Sequence, residues 1–396
     1  MGPFPLGPAK SPVRGPSSDQ PPSHRWRFHP QQLIPLGVLV PLLLLVGCDA
    51  DALQSTFGPA GPVAEKQLLL FNVLLWAMVV TFVLVEGVLL YSVIRFRRRP
   101  GDALPAQVHG HTGLEIAWTI IPTILILILG IWSVITLFEL EPPPASANTL
   151  EVTVTGHQWW WEFEYLDADG AGKLINTANE LRVPVGRPVN LLLNSDDVIH
   201  SFWVPRLAGK VDVVPTRNNR MWFQGDEIGT FYGQCAEFCG IAHALMKFRV
   251  QVLSEADYMA WVDSYGQPPG TSEPMSPLAQ QGQEIFQGTG GCLVCHTVNG
   301  TDDSAATAGR MLGFLGGGPI FPGPNLSDLA TRTTIAAGLL DLNRENLRTW
   351  LNNPNDVKPG TRMAELALVY QKHSDGSTSL SPQEVSALIE YLLSLK

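Results

Sequence analysis

The sequence predicts a multi-domain membrane protein, a two-helix transmembrane hairpin followed by two soluble modules. Three observations predict it. Two apolar runs, 68–94 and 116–138, are each long enough to cross a bilayer. A stretch rich in Pro, Gly and Ser at 266–277 reads as a linker. On either side of it lies a separate cluster of Cys, His and Met. A length of 396 residues accommodates two soluble modules beside the hairpin. The formal net charge of −10 argues against a nucleic-acid partner.

Residues 1–32 are rich in Pro, Ser and Gly. Arg25 and Arg27 then precede a short apolar segment, 33–46, which closes with Leu45-Val46-Gly47-Cys48. A basic region, a short apolar stretch and small residues mark a secretory signal. Cys48 at the cut resembles a bacterial lipoprotein box, which implies a lipoprotein-type signal peptide over 1–47 and lipidation of Cys48. The leader is long, and since no Met occurs between Met1 and Met78, Val13 is an alternative start. Residues 48–66 are expected to be an extracytoplasmic tether and 67–140 the hairpin.

Arg95, Arg97, Arg98 and Arg99 follow the first apolar run at once. The positive-inside rule makes that loop cytoplasmic, so everything after Glu139 faces outside. Glu86 is an intramembrane carboxylate and a functional candidate on that ground. Contact with a partner helix or interfacial water is the simpler reading. Glu115 opens the second run, where a carboxylate suits the helix dipole.

The most informative stretch lies outside the membrane. His200 stands in HSFWVP, and GQCAEFCGIAHALM carries Cys235, Glu237, Cys239, His243 and Met246. Two thiolates, two imidazoles and a thioether are the donors that copper prefers. Two Cys on one loop can bridge two copper ions, each His capping one, with Met246 sulfur and the Glu237 carbonyl as weak ligands. A disulfide or a zinc site is the competing reading, but zinc favours CxxC spacing and four tight ligands.

These segments resemble the CuA site of cytochrome c oxidase subunit II. GHQWWWEFEY at 156–165 resembles that family's aromatic segment, with Trp160 in its Tyr place. The likeness covers about residues 65–265. It implies a cupredoxin-like β-barrel, placed at 147–265, with His200, Cys235, Glu237 (through its carbonyl), Cys239, His243 and Met246 holding two coppers. It also implies Trp159 as the entrance for electrons and His243 as facing the exit. Glu115 would lie near the mouth of a proton channel of the catalytic subunit, through the ExxWT motif. Asp197 and Asp212 match acidic docking positions, though either also suits a turn cap. Glu237 is implied as a contact to a magnesium ion shared with the catalytic subunit. Family members that oxidise quinol have lost the copper ligands; this chain keeps all six.

Beyond Met246, 247–253 alternates as a last strand and 256–265 reads as a short helix. After the linker comes Cys292-Leu-Val-Cys295-His296, the spacing of covalent c-type haem attachment in an exported chain. Two thioethers fix the macrocycle and His296 ligates iron. GPNL at 323–326 and KPGTRM at 358–363 resemble segments of class I cytochrome c, which implies an all-α cytochrome c domain over 278–396. Met363 is then the sixth iron ligand, and Met311 its rival. His373 lies in a polar turn and is expected to face solvent. Ala364 stands where that family often has Pro. Helices are expected over 345–351 and 382–395.

The resemblance to subunits with a fused cytochrome c implies a route for electrons. A donor, cytochrome c or a quinol–cytochrome c reductase, reduces the haem; the copper pair is next; the haem of the catalytic subunit, where oxygen becomes water and protons are pumped, is last. The expected place is the bacterial inner membrane, multi-pass, with both soluble modules outside. Two other classes fit part of the pattern: a copper chaperone or thiol reductase, and an electron shuttle to another terminal acceptor.

Overall fold

A computed structural model describes residues 52–103, 106–141, 148–265, 274–298 and 323–396. The expected leader, Cys48 and the rival ligand Met311 lie outside the described residues.

The two apolar runs form helices α1 (Pro62–Arg95) and α2 (Thr112–Glu139). Their large apolar side chains, Trp76, Phe82 and Ile126 among them, are exposed. With every backbone bond satisfied inside the helix, such a surface suits lipid. Pro62 sits in the first turn, where its missing N–H is harmless, and Arg95 sits in the last. Lys66 and Glu139 pair at 2.9 Å, joining the start of α1 to the end of α2. Part of the expected tether is not free. Ala60 and Val63 are buried in the barrel core, and the Ala60 N–H donates to the Arg206 carbonyl.

Ten strands follow among the described residues: β1 (Leu150–His157), β2 (Trp160–Tyr165), β3 (Ile175–Ala178), β4 (Glu180–Pro184), β5 (Val189–Ser195), β6 (His200–Trp203), β7 (Lys210–Val213), β8 (Asn219–Phe223), β9 (Gly229–Cys235) and β10 (Lys247–Leu253). They build two five-stranded sheets, β3-β2-β1-β5-β8 and β4-β10-β9-β6-β7. Alternation on β2 turns Trp161, Phe163 and Tyr165 inward. These rings meet those of the other sheet; Trp161 and Phe248 lie 5.4 Å apart edge-on, and Phe202 stacks on Phe248 at 4.5 Å. This is the cupredoxin-like fold. Helix α3 (Glu255–Ser264), capped by Ser254, lays Trp261 against Tyr165.

Among the described residues, the C-terminal module is helical apart from one two-residue pairing, β11 (Thr334–Ile335) with β12 (Leu340–Asp341). Its helices are α4 (Pro277–Gln287), α5 (Arg344–Asn352), α6 (Pro354–Val357), α7 (Arg362–Leu366), α8 (Leu368–Gln371) and α9 (Pro382–Leu392). Helices α4 and α9 cross over a core of Phe286, Leu388 and Tyr391. The two soluble modules also touch each other through buried charge. Glu180 on β4 accepts hydrogen bonds from the backbone N–H groups of Thr333 and Thr334 at 3.0 and 2.7 Å. Arg182 donates to the Thr331 carbonyl at 2.6 Å and lies 3.7 Å from Asp328.

Candidate metal and haem centres

The start of β6, the end of β9 and the loop between β9 and β10 bring the copper candidates together. His200 Nδ1 lies 3.8 Å from Cys235 Sγ, and the two sulfurs lie 3.7 Å apart. That is far beyond the roughly 2.05 Å of a disulfide. Cys239 Sγ lies 3.6 Å from His243 Nδ1 and 3.8 Å from Met246 Sδ. The Glu237 carbonyl is 3.2 Å from Cys235 Sγ. All six candidates thus converge around two thiols, with one imidazole beside each. The donor set fits two soft, thiolate-bridged ions.

The pair is electrostatically asymmetric. The thiol of Cys239, hydrogen-bonded to Cys235, draws Cys235 down to about 3, and the same contact pushes Cys239 well up. Asp197 faces this site rather than solvent. Its carboxylate lies 2.8 Å from His200 Nε2, fixing the ring so that Nδ1 points at the sulfur. Burial disfavours the His200 imidazolium, but the contact with Asp197 outweighs it and raises the pKa. Asp212, by contrast, is exposed on β7. The Glu237 carboxylate is 3.8 Å from Lys210.

In the C-terminal module, Cys292, Cys295, His296 and Met363 line one cavity of about 520 Å³. Its walls are mostly apolar, and it has room and donors for a macrocycle. Cys292 and Cys295 are unpaired thiols, and burial pushes Cys292 up to about 12. His296 Nδ1 lies 2.9 Å from the Pro324 carbonyl, which fixes the tautomer and leaves Nε2 to point at a metal. Burial pulls the His296 pKa down, keeping the ring neutral, as ligation requires. His373 is exposed.

Trp159 belongs to both centres. Its indole N–H donates to the Cys239 carbonyl at 3.0 Å, and its side chain lines the haem-sized cavity. It is 8% exposed, because Gly360 and Lys358 of the C-terminal module cover it. Glu115 lies in the first turn of α2 and is exposed. Glu86 lines a groove between the helices with Thr81, Leu125 and Leu129.

Residues 52–136 and 150–253 match the families described as cytochrome c oxidase subunit II, transmembrane domain and periplasmic domain, and 279–396 match cytochrome c. Cytochrome c oxidase subunit 2 of Alkalihalophilus pseudofirmus is 37% identical over 372 residues, covering 92% of this chain and 97% of the relative. The chain belongs to the cytochrome c oxidase subunit II family. Its Bacillus subtilis relative of the same description is 38% identical over 380 residues, 92% of this chain and 98% of the other. The solved periplasmic domain of subunit II from Bradyrhizobium japonicum is 32% identical, with a TM-score of 0.28, over 31% of this chain and 94% of that one.

As a subunit II with a cytochrome c domain, the chain is an electron-transferring component of an oxidoreductase complex. The family implies copper in the barrel and haem in the C-terminal module. It is a membrane protein with a periplasmic domain; two candidate spans are what the described residues carry, so "multi-pass" reduces to two crossings.

Sequence reasoning missed the contacts between the modules. Glu180, Arg182, Asp328 and Arg332 lie in no quoted motif, and Gln158, Lys358 and Arg362 lie in motifs that point to the two centres rather than to each other. Their partners lie about 150 to 200 residues away in sequence, and no local pattern announces such pairs.

Proposed function

We propose that this chain is the electron-accepting subunit of a proton-pumping cytochrome c oxidase and works beside a multi-span catalytic subunit I. His200, Cys235, Cys239, His243, Met246 and the Glu237 carbonyl hold the two coppers. Cys292 and Cys295 would carry a covalent haem c, and His296 and Met363 would be the residues that hold its iron. When bound, the two groups supply reversible one-electron carriage at little structural change. The chain's own part is to orient and enclose them. Asp197 aims His200, and the Pro324 carbonyl aims His296. Trp159 lies between the centres as the point where electrons reach the barrel. The single observation that supports this best is the haem-sized cavity sharing Trp159 with the copper loop.

The donor is a cytochrome c or a quinol–cytochrome c reductase, and the electron leaves past His243 to the haem of subunit I, where oxygen is reduced to water. Glu115 stands at the proton-channel mouth. A shared magnesium ion at Glu237 would have to displace the contact with Lys210. The modules run 147–265 and 278–396, joined by 266–277, behind a hairpin at 67–140. The signal occupies 1–47, the tether 48–66, and Cys48 carries lipid, which mass spectrometry of the mature N-terminus tests.

Electron paramagnetic resonance of the copper-loaded full chain tests the copper assignment. Hyperfine structure from one electron shared equally by two coppers is expected. A single-copper signal would end the reading. A pyridine haemochrome spectrum that survives acid extraction is expected for the haem; extractable haem would remove the covalent assignment.

A further inference from the structure

The segment 358–363 of the C-terminal module lies against the copper loop, and two hydrogen bonds join it to the barrel. The Lys358 ammonium donates to the Trp159 carbonyl. The Arg362 guanidinium donates to Gln158 Oε1 at 3.0 Å. Both barrel residues then turn to the same atom. Trp159 Nε1 donates to the Cys239 carbonyl at 3.0 Å, and Gln158 Nε2 donates to it at 2.7 Å. The second arm is the more direct. Arg362 is peptide-bonded to Met363, so two residues, Arg362 and Gln158, and two hydrogen bonds separate the proposed haem ligand Met363 from the proposed copper ligand Cys239.

Geometry holds this arm in place. Gly360, between the two donors, has φ +77°, and a Cβ there would come 2.6 Å from Ile241 on the copper loop. The turn can therefore lie flat on the barrel. The Gly360 N–H donates to Asn355 Oδ1 at 2.8 Å, bracing the turn from behind. The Gln158 backbone N–H donates to Asp197 at 2.7 Å, the same carboxylate that orients His200. An amide side chain suits the middle of the arm because it accepts from the guanidinium through oxygen and donates to the carbonyl through nitrogen. A carboxylate or an apolar group does only one of these or neither.

We propose that Arg362 and Gln158 are positioning residues for electron transfer between the modules, forming a hydrogen-bonded bridge from the Met363 segment to the Cys239 carbonyl. The inference rests on the copper and haem assignments proposed above. One electron crosses, oxidising the haem-side centre and reducing the copper-side centre; no bond breaks and no proton moves. Electronic coupling decays more slowly through bonds and hydrogen bonds than across gaps. The bridge therefore acts both by seating the Met363 segment and by shortening the gap.

The test uses the full chain loaded with copper and haem, and photoreduction of the haem followed optically. Arg362→Leu, Gln158→Leu and Gln158→Glu are each expected to slow haem-to-copper transfer by about tenfold, as for loss of one charge-assisted hydrogen bond. Both reduction potentials and both optical spectra should stay unchanged. Arg362→Lys, which still offers a donor to Gln158, is expected to recover most of the rate. The double variant should be no slower than either Leu variant, since one link is broken twice. Unchanged rates in all three breaking variants, with both centres formed, would overturn the bridge alone. Rates that fall only alongside a shifted potential would overturn it too, by making the role merely structural. Failure of the unaltered chain to form either centre would instead remove the assignments beneath it.

Discussion

Gly156, next to last in β1, lies against the ring of His200: a Cβ there would lie 2.8 Å from His200 Cδ2. The ring itself is clamped between that backbone and Asp197. Gly156→Ala is therefore expected to rotate the imidazole away from Cys235 and lower copper occupancy, read by metal analysis of the purified chain. An unchanged copper content would refute it. Asp328 carries a different kind of constraint. It accepts from Arg332 at 2.6 Å and from Thr177 across the module boundary, and all three are buried. Burial pushes its carboxyl up, but the charges of Arg332 and Arg182 outweigh this and hold it below the usual range. A lowered folded pKa gives stability that is fully present above the unfolded value of about 3.9 and is lost as pH falls through the folded value. On Asp328's account the module contact should be flat from neutrality to about pH 4 and weaken below it. Asp328→Asn leaves the buried Arg332 guanidinium without a carboxylate and Arg182 with Glu180 alone at 4.0 Å, an expected loss of about 3–5 kcal/mol, checked by denaturant unfolding.

Secondary elements were legible where pattern and period are local. The strand expected at 247–253 is β10, Lys247–Leu253, and the apolar runs lie inside α1 and α2. The last helix was expected to reach 395 but stops at Leu392. Its start was legible because Ser381 and Glu384 make a reciprocal capping box after which Pro382 opens the helix. What periodicity does not carry is how closely two helices approach. Gly282 on α4 touches the backbone of α9; a Cβ there would lie 2.0 Å from the Ala387 carbonyl oxygen. Gly282→Ala is expected to force the helices apart and destabilise the haem module by about 1–3 kcal/mol, measured as a lower thermal midpoint. An equal midpoint would show that the crossing yields freely.

Across the whole molecule, a linker at 266–277 acting alone would keep the C-terminal module near the copper loop by tethering. The structure adds a seated contact, with Glu180, Arg182, Asp328 and Arg332 buried between the modules. Transfer within the intact chain should then be independent of protein concentration. Cutting within 266–277 should make it concentration-dependent only on dilution below the affinity of that contact. Flash photolysis across a dilution series of cut and intact protein decides this; a cut chain that keeps its rate at every dilution would show the linker to be dispensable. The same seating covers Trp159, so a free cytochrome cannot reach that residue while the module is docked.

The sequence by itself named the candidate ligands of both centres, because ligand type and spacing are local and CxxCH or CxxxHxxM sit within a turn or a loop. It also determined the spans and their direction, since length, apolarity and the Arg cluster are read along the chain. Only the tertiary structure decided what lies between the centres. Gly156 yielding to the His200 ring and Arg362 reaching Gln158 are meetings of segments far apart in sequence. They depend on how two sheets and a helical module pack, and packing leaves no periodic mark on either partner alone.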